Sequence, residues 1–395
     1  MIKIYQNKEG VMTLKLIHLA DLHIGKTLLE QSLLEDQRYM LQEIINIIKE
    51  NNVDGILISG DIYDKGIPNI DAVNLLNDFL VDIVSNLKRK VFIISGNHDS
   101  KTRLNFGSKL FEIQGLYIDT KYTGKLKKIT LCEDNHNINI YMLPFVKPIE
   151  IRELFNEDIT DYNDTIKYIL NRENLNKEEI NILMAHQFVT YQNTYPETCE
   201  SENINIGTLD NIDASLFFDF DYVALGHIHG PQRIGKDTIR YSGTMLKYSF
   251  SEINHKKSLV LINIENNELS YELIPLKPLR DLREIKGPIN ELIKKENYQD
   301  TNTDDYIKAI ITDEEPGYEP LARIRSVYPN TLKLEIRNSK TELNNHELEK
   351  IEKLKEKSVL ELFNDFYKYQ NNIDMNNEEE KIIKSIIKEQ EEGEE

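Results

Sequence analysis

Five apolar segments of strand length in this chain each end in a polar loop that carries aspartate, asparagine or histidine. The loops contain, in chain order, Asp21-Leu22-His23, Gly60-Asp61, Asn97-His98, His186 and His227-Ile228-His229. A single aspartate and histidine two residues apart form a common pattern that usually lies in a solvated loop. The repetition, always with residue types that bind metal ions, is what indicates a shared site.

The first three of these segments alternate with segments of helical spacing. The strands expected at Ile17–Ala20, Asp54–Ser59 and Val91–Ser95 are separated by helices over Leu33–Ile48 and Ile70–Leu87. Strands and helices that alternate at this spacing predict right-handed crossovers and a parallel sheet covered on both faces. Because ligands lie outside the carboxyl ends of the strands in such sheets, we expect the three polar loops to meet at one edge.

More strands are predicted before residue 275. Residues 125–145 predict two antiparallel strands, and apolar runs at Glu179–Ala185 and Phe220–Leu225 precede the last two polar loops. Alternating residues over Ser258–Ile264 and Glu268–Ile274 indicate a second sheet packed on the first. The expected fold class is therefore α/β, a two-sheet sandwich flanked by helices.

Four regions are expected along the chain. They are an N-terminal extension at 1–13, a main domain at 14–275, a small α+β unit at 276–340, and C-terminal helices with an acidic tail at 341–395. Pro275 and Pro278 mark the boundary between the two folded regions. The C-terminal region predicts two amphipathic helices, one from Ser358 and one that starts near 377–380. These helices either fold back on the body or present their apolar faces to a partner.

Composition excludes several classes of protein. The formal net charge of -19 argues against a basic protein that binds nucleic acid by neutralising phosphates. It does not exclude a nuclease, because bound divalent ions supply local positive charge. No apolar run approaches the roughly 18 residues of a membrane span, and the N-terminus is too polar for a secretory signal. Two distant cysteines, Cys132 and Cys199, fit a reducing cytoplasm and exclude a disulfide scaffold.

The residue types at the strand ends predict a site for two metal ions. The candidate residues are Asp21, His23, Asp61, Asn97, His98, His186, His227 and His229. Carboxylate, amide and imidazole ligands without thiolate suit Mn²⁺, Fe²⁺ or Zn²⁺ rather than Ca²⁺. Two such ions, with a bridging carboxylate, can polarise a phosphoryl group and hold the attacking and leaving oxygens in line. One histidine beyond the ligand shells would be free to act as a general acid.

Other polar residues have more ordinary explanations. Asp64 and Asp99 fit turn positions or roles in orienting a neighbouring ligand. Of the other histidines, His18 fits a core position within the first strand. The remaining three fit surface positions, namely His136, His255 and His346.

In this order, the five loops resemble the motifs of calcineurin-like metallophosphoesterases. Further stretches are similar to the SbcD family, the nuclease subunits of bacterial SbcCD complexes. They include Gly60–Asp64, Tyr222–Gln232 and Pro278–Gly287. The resemblance implies that Asp21, His23, Asp61 and His229 surround one ion, and that Asp61, Asn97, His186 and His227 surround the other. It also implies that Asp61 bridges the ions and that His98 is the catalytic histidine.

The same resemblance implies an activity and partners. The expected activity is Mn²⁺-dependent cleavage of DNA, with Fe²⁺, Zn²⁺ and Mg²⁺ as alternative metals. It combines a 3′–5′ exonuclease on double-stranded ends with an endonuclease on hairpins and single strands. DNA repair, replication and recombination in the cytoplasm, in association with the nucleoid, would be its setting. The implied partners are an SbcC-type coiled-coil ATPase, bound by residues 341–395, and a second copy of the chain in a heterotetramer. Dimerisation is implied near Arg103–Ile113, and 276–340 would be a DNA-recognition cap.

Alternatives and departures from the family pattern remain. A metallophosphatase or cyclic-nucleotide phosphodiesterase could share the site, although Lys65 stands where protein phosphatases usually carry arginine. A scaffold or DNA-end-binding subunit with an inert site is the alternative from another class. Met245 replaces a frequent proline, and relatives often have histidine in place of Asp64. The polar stretch Gln187–Gly207 is long enough for a functional loop, but its Thr190–Asn205 part lacks the expected glycines.

Overall fold

A computed structural model provides the structure of this chain. It describes residues 13–133, 136–192, 194–202, 211–339, 359–371 and 375–393. The predicted N-terminal extension, up to residue 12, lies outside the described residues, as do His346 and the predicted helix start at Ser358. The division of the chain into four regions stays a prediction.

Nineteen strands lie within the described residues. In chain order they are β1 Thr13–Leu19, β2 Thr27–Leu28, β3 Gln31–Ser32, β4 Gly55–Ser59, β5 Lys90–Ile94, β6 Leu116–Asp119, β7 Lys127–Glu133, β8 His136–Leu143, β9 Ile180–His186, β10 Val189–Thr190, β11 Ile212–Asp213, β12 Tyr222–Gly226, β13 Gln232–Ile234, β14 Lys236–Tyr241, β15 Ser258–Glu265, β16 Glu268–Pro275, β17 Leu282–Gly287, β18 Tyr306–Ile311 and β19 Thr331–Ile336. Each of the five apolar segments predicted as a strand overlaps one of these strands.

The helices of the described residues flank these strands. They are α1 Leu34–Glu50, α2 Ile70–Leu80, α3 Lys101–Leu104, α4 Ser108–Phe111, α5 Pro148–Phe155, α6 Tyr162–Leu170, α7 Ile289–Leu292, α8 Lys295–Tyr298, α9 Pro320–Arg325, α10 Val359–Asn371 and α11 Asn377–Gly393. The helix expected over Ile70–Leu87 is regular only to Leu80, after which Val81–Asn86 is π-helical. Asn69 caps α2 by accepting a hydrogen bond of 2.7 Å from the backbone N–H of Ala72.

Two six-stranded sheets form the main domain. The first has the strand order β16-β15-β1-β4-β5-β6, and the second has the order β13-β14-β12-β9-β8-β7. In the first sheet β1, β4, β5 and β6 run parallel. In the second sheet β8, β9, β12 and β14 run parallel. Each sheet therefore presents the carboxyl ends of several strands at one edge.

The main domain is a sandwich of four layers. Leu57 of the first sheet and Met184 of the second belong to one buried cluster between the sheets. Ile44 of α1 packs on the outer face of the first sheet, and Ile166 of α6 packs on the outer face of the second. All four side chains are fully buried. The predicted α/β sandwich of two sheets flanked by helices is thus confirmed.

The composition of the second sheet differs from the sequence-based expectation. The strands β15 and β16 do not form a second sheet. Instead, β15 pairs antiparallel with β1, so that Leu16 lies opposite Ile262. The second sheet consists of β7 to β9 and β12 to β14. An alternating sequence pattern carries no information about which sheet a strand joins. In the structure β15 is buried along nearly its whole length, so it is covered on both faces.

The small unit after Pro275 has a three-stranded sheet in the order β17-β18-β19. All its strands are parallel, and its core contains Ile289, Ile307 and Ile324. At the joint with the main domain, the buried carboxylate of Asp36 accepts hydrogen bonds from Arg280 Nε at 2.9 Å and from the Tyr306 hydroxyl at 2.8 Å. This unit is therefore attached through a buried, charged contact.

Several smaller expectations have clear outcomes. His18 is fully buried, as predicted, and its ring nitrogens lie 3.1 Å from the Tyr222 hydroxyl and 3.1 Å from the carbonyl of Leu225. Cys132 and Cys199 are both free thiols. Among the described residues, no helix is long and apolar enough to cross a membrane.

Candidate metal centre

The polar loops of the two sheets meet at one edge of the sandwich. The loops after β1, β4 and β5 come from the first sheet, and those after β9 and β12 come from the second. Hydrogen bonds join the two sets, because the backbone N–H of His227 donates to the two Asp21 carboxylate oxygens at 3.0 and 3.1 Å. The Ser59 hydroxyl likewise donates to the carbonyl of Ala224 at 2.9 Å. Both sheets are therefore needed to assemble the site.

One group of ligand atoms consists of Asp21, His23 and His229. Their atoms all lie within 4.8 Å of one another, and the three side chains are buried. Nε2 of His23 lies 3.2 Å from Nε2 of His229. Two imidazole nitrogens that face each other in this way suit a shared cation, since neutral imidazole nitrogens are good metal ligands.

A second group consists of Asp21, Asp61 and His186, again with ligand atoms within 4.8 Å of one another. The Asn97 side-chain oxygen lies 3.0 Å from His186 Nε2 and 3.1 Å from His227 Nδ1. The structure therefore brings Asn97 and His227 to this second group, at its more exposed side.

Asp61 lies between the two groups. Its Oδ2 is 3.4 Å from His186 Nε2 and 3.7 Å from His23 Nε2. Its Oδ1 accepts a hydrogen bond of 2.9 Å from the backbone N–H of His98. This central position is the one that the sequence-based expectation gives to a bridging carboxylate.

The electrostatics of the site reflect two buried carboxylates among imidazoles. Burial raises the pKa of Asp21 well above its usual value. Burial would also raise the pKa of Asp61, but the imidazoles of His186, His23 and His98 hold it well below its usual value. Burial opposes protonation of His186, yet Asp61 and Asp21 raise its pKa to about 9. Buried charges of this kind need a compensating partner.

The residues present suit divalent cations as that partner. Within the described residues, the buried Nδ1 of His23 has no hydrogen-bond partner. His186 donates from Nδ1 to the Ser59 carbonyl at 2.8 Å, which leaves its Nε2 directed at Asp61. A histidine fixed through one ring nitrogen, with the other aimed at carboxylates, has the arrangement of a metal ligand. Calcium is disfavoured, because imidazole nitrogens supply much of the donor set.

His98 and Asp64 lie on the accessible side of the site. His98 Nε2 is 4.0 Å from Asp61 Oδ2, and its side chain is 19% exposed. Its Nδ1 lies 3.2 Å from the carbonyl oxygen of Asp64. The Asp64 carboxylate accepts a hydrogen bond of 2.7 Å from Lys26 Nζ and lies 3.9 Å from His23 Nδ1. The Asp64 carboxylate therefore faces His23 without a hydrogen bond to it, and His98 remains reachable by a ligand.

Asp99 lies behind the loops rather than among the ligands. Its carboxylate accepts hydrogen bonds from three backbone N–H groups, at 3.1 Å from Ile62, 3.2 Å from Tyr63 and 2.9 Å from Gly96. Burial, together with the nearby charge of Asp61, raises its pKa to about 6. Asp99 thus ties the loop that carries Asp61 to the loop that carries Asn97.

Glycine is required where these loops touch. A Cβ atom on Gly96 would lie 2.1 Å from Asp61 Oδ1, and one on Gly226 would lie 1.9 Å from the carbonyl oxygen of Ser59. Both distances are far below van der Waals contact, so any side chain at either position would displace the neighbouring loop.

Sequence reasoning missed a cluster of charged and hydroxyl groups behind His229. It includes Ser201, Glu252 and Lys257, all within hydrogen-bond distance of one another or of His229. His255, expected at the surface, also belongs here, because its Nδ1 lies 3.7 Å from Glu252 Oε2 and its side chain is only 20% exposed. No local pattern identifies these residues, since their burial depends on strands distant in sequence.

Two family models match parts of this chain. The family model described as calcineurin-like phosphoesterase matches residues 14–231. A second model, described as type 5 capsule protein repressor C-terminal domain and abbreviated SbcD_C, matches residues 278–371. The candidate metal ligands, from Asp21 to His229, all lie within the first match.

Two bacterial relatives match most of the chain, and both are named as the SbcD subunit of the nuclease SbcCD. The relative from Staphylococcus epidermidis is 36% identical over 326 residues, which cover 81% of this chain and 85% of that protein. The relative from Staphylococcus saprophyticus subsp. saprophyticus is 34% identical over 359 residues, which cover 89% of this chain and 92% of that protein. The chain therefore belongs to the calcineurin-like phosphoesterases and, within them, to the SbcD family of nuclease subunits.

Proposed function

We propose that this chain is the nuclease subunit of an SbcCD-type complex and hydrolyses DNA phosphodiesters with two divalent ions, most favourably Mn²⁺. The observation that carries the proposal is the position of Asp61 between two groups of buried ligands. Both relatives described above are named as nuclease subunits. The proposed activities are 3′–5′ exonuclease on double-stranded ends and endonuclease on hairpins and single strands. A role in repair, replication and recombination in the cytoplasm is part of the same proposal.

The proposed ligands fall into two sets that share one carboxylate. Asp21, His23, Asp61 and His229 would hold one ion, and Asp61, Asn97, His186 and His227 would hold the other. When bound, the two ions would neutralise phosphate charge and lower the pKa of an attacking water. Asp21 belongs to both groups of ligand atoms, whereas His229 belongs only to the one with His23. Removal of His229 should therefore affect the ion near Asp21 and His23 before the ion near His186.

His98 is proposed as the catalytic histidine. Its Nδ1 is 3.2 Å from the carbonyl oxygen of Asp64, so an Nδ1 proton would be donated there and would fix the plane of the ring. Its Nε2 then faces the cleft beside Asp61. From this position a protonated ring can donate its Nε2 proton to a departing sugar oxygen, or stabilise the charge that develops on it.

The partners proposed are an SbcC-type ATPase and a second copy of this chain. The apolar face of α10 and α11 supports the first, because its side chains are between 37% and 59% exposed: Val359, Leu362, Phe363, Phe366, Ile382 and Ile386. The helices around Phe106 support the second, since Phe106, Leu110 and Ile113 are 83%, 71% and 80% exposed. Groups of neighbouring exposed apolar side chains are typical of protein contact surfaces.

The test compares DNA with small phosphate esters. The purified chain, alone and with its ATPase partner, is incubated with Mn²⁺ and hairpin DNA, blunt duplex, p-nitrophenyl phosphate or a cyclic nucleotide. We expect cleavage of the hairpin and of the duplex ends. Rapid hydrolysis of the phosphomonoester or the cyclic nucleotide, with DNA left intact even in the complex, would overturn the assignment in favour of a phosphatase or phosphodiesterase.

Two variants separate catalysis from metal binding. His98→Ala should lower cleavage by about 10²- to 10⁴-fold, the usual contribution of a general acid, while two Mn²⁺ ions still bind. Asp61→Ala should lose both the cleavage and the tight binding of the ions. Unchanged cleavage in His98→Ala would refute the proposed role of that residue, and an inert wild-type complex that still binds DNA ends would favour a scaffold.

A further inference from the structure

The backbone and ring of His229 are held from behind by two segments distant in sequence. Its Nε2 faces His23, whereas its Nδ1 lies 2.6 Å from the hydroxyl oxygen of Ser201. Its backbone N–H donates to Glu202 Oε1 at 2.6 Å, and its carbonyl accepts from Lys257 Nζ at 2.9 Å. These contacts engage Nδ1 of the ring and leave Nε2 as the nitrogen that can bind an ion.

Ser201 connects this ring to a buried carboxylate. Its hydroxyl oxygen lies 2.6 Å from His229 Nδ1 and 2.6 Å from Glu252 Oε1. A carboxylate can only accept, so the Ser201 hydroxyl donates its proton to Glu252 and accepts the Nδ1 proton of His229. In this tautomer the lone pair of His229 lies on Nε2, which faces His23 and the ion site of Asp21.

Glu252 is itself fixed in place. Its side chain has no exposed surface, and it pairs with Lys257 Nζ at 2.6 Å. It also accepts a hydrogen bond of 3.1 Å from the backbone N–H of Tyr248. Lys257 Nζ donates in addition to Thr244 Oγ1 at 2.7 Å. The acceptor at the end of the chain from His229 is therefore rigid and charged.

We propose that Ser201 and Glu252 are positioning residues for His229, which set its tautomer and aim its Nε2 at the ion held by Asp21 and His23. The proposal rests on the ion assignment proposed above. It gives the polar loop before residue 203 a specific task, because Ser201 reaches the site from that loop. Carboxylates and hydroxyl groups that accept the second ring proton of a ligand histidine typically contribute about 10- to 100-fold to metal affinity.

A third metal site is the competing explanation for the same residues. Cys199, Glu202 and His229 offer ligand atoms within 4.8 Å of one another. However, His229 Nδ1 is already engaged by the Ser201 hydroxyl, and Cys199 Sγ lies 3.1 Å from that same hydroxyl. The hydrogen-bonded arrangement therefore favours the chain of hydrogen bonds from His229 through Ser201 to Glu252 over a bound ion.

The test measures Mn²⁺ binding to the full chain by calorimetric titration, with bound metal counted after gel filtration. The variants are Ser201→Ala, Ser201→Thr and the control Ser251→Ala. Ser251 accepts from the backbone N–H of Glu200 at 3.0 Å and so contacts the same loop without contacting His229. Ser201→Ala should lower the affinity for one of the two ions by about 10- to 100-fold and leave the affinity for the other within about twofold of the wild-type value.

The outcomes distinguish the inference from the function on which it rests. The positioning role of Ser201 would be supported if Ser201→Thr restores the affinity and Ser251→Ala binds both ions as the wild type does. The proposal would be overturned if Ser201→Ala binds both ions with wild-type affinity, or if its affinity for both ions falls equally. A third ion in the wild type that disappears in Cys199→Ser would also overturn it, in favour of a metal at Nδ1. A wild-type chain that fails to bind two ions would instead refute the proposed two-ion site.

Because Glu252→Gln leaves Lys257 without its charged partner, it is compared with wild type by thermal unfolding before titration. A folded Glu252→Gln variant should reproduce the selective loss seen in Ser201→Ala. If Glu252→Gln folds and binds both ions normally, Glu252 has no positioning role. If it unfolds, the Ser201 series alone decides the proposal.

Discussion

Four of the residues at the site adopt backbone conformations that side chains rarely tolerate. The φ angles of Asp21, His23, Asp61 and His227 are 52°, 43°, 50° and 102°. Such conformations cost on the order of 1–3 kcal/mol each and persist only where the surroundings impose them. Here the first two loops pair with each other, since the N–H groups of Asp21 and His23 donate to the carbonyls of Gly60 and Asp61 at 3.0 Å each. The strain is a property of the site and is offset by backbone hydrogen bonds around it.

The two aspartates that the sequence suggests as orienting residues should differ in their effect on stability. Asp99→Ala leaves three N–H groups without an acceptor, two of them buried and that of Tyr63 partly buried. We therefore expect a loss of about 2–4 kcal/mol in the free energy of unfolding. Asp64→Ala removes a partly exposed ion pair with Lys26 and should cost about 1 kcal/mol or less. Urea denaturation of the metal-free chain measures both.

Asp64→Ala should have a larger effect on metal affinity than on the free energy of unfolding. Asp64 lies 3.9 Å from the unpartnered Nδ1 of His23. Asp64→Ala should therefore weaken the binding of the ion near that histidine more than it destabilises the fold. Equal stability losses in the Asp99 and Asp64 variants would contradict these roles.

At the scale of single elements, α10 and α11 make a pair with an exposed apolar face. The Tyr367 hydroxyl donates to Glu379 at 2.9 Å and links the helices, and the rings of Phe363 and Phe366 lie 6.4 Å apart. The expectation that these helices fold back on the body has no support among the described residues, since Phe366 remains 59% exposed. The exposure of this side chain favours the proposed contact with a partner.

Substitution on this face should weaken the ATPase complex. Phe366→Asp places a charge in the centre of the apolar face, and the loss of such an anchor typically costs about 2 kcal/mol or more, roughly 30-fold in Kd. Co-purification with the SbcC-type ATPase measures the effect, and Asn364→Asp, which adds a charge on the opposite side of the same helix, is the control. Cleavage of a small phosphodiester by the isolated chain should not change. Undiminished recovery of the complex with Phe366→Asp would refute the contact.

At the scale of the whole molecule, a second surface faces solvent without a cover among the described residues. It adjoins a groove of about 810 Å³ lined by Tyr63, Leu76, Leu80, Val84, Leu104 and Phe111. Phe106 also lines this groove, and Leu110 protrudes near it. A twofold interface joins the same surface patch of two identical chains, so a patch that combines an apolar groove with exposed apolar side chains supports the proposed dimer contact.

A double variant should separate the proposed dimer. Phe106→Glu with Leu110→Glu replaces two exposed apolar side chains, and the loss of their burial would cost at least about 3 kcal/mol, on the order of 100-fold in Kd. Light scattering after gel filtration at micromolar concentration should report a dimer for the wild type and a monomer for the variant. Lys121→Glu, an exposed residue outside the groove, is the control. A wild-type monomer at these concentrations would contradict the proposal.

Much of the fold was predictable, because the apolar strands and the helices at 34–50 and 70–80 follow local patterns of hydrophobicity. The assignment of β15 and β16 to a second sheet was wrong, since their alternation does not encode a pairing partner. The π-helical segment Val81–Asn86 and the partly buried position of His255 beside Glu252 were also missed. Both depend on what packs beside them.

The sequence by itself determined which residue types stand at the ends of the strands, and hence the chemistry of the site. The sequence shows both the residue type and the position next to the end of an apolar segment, as for Asp21, Asp61 and His186. Only the tertiary structure decided which of these residues meet. Asp21 and His227 are 206 positions apart, and Ser201 and Glu252 reach His229 from different segments. Such contacts depend on how two sheets pack, which results from burial summed over the whole domain rather than from any local pattern.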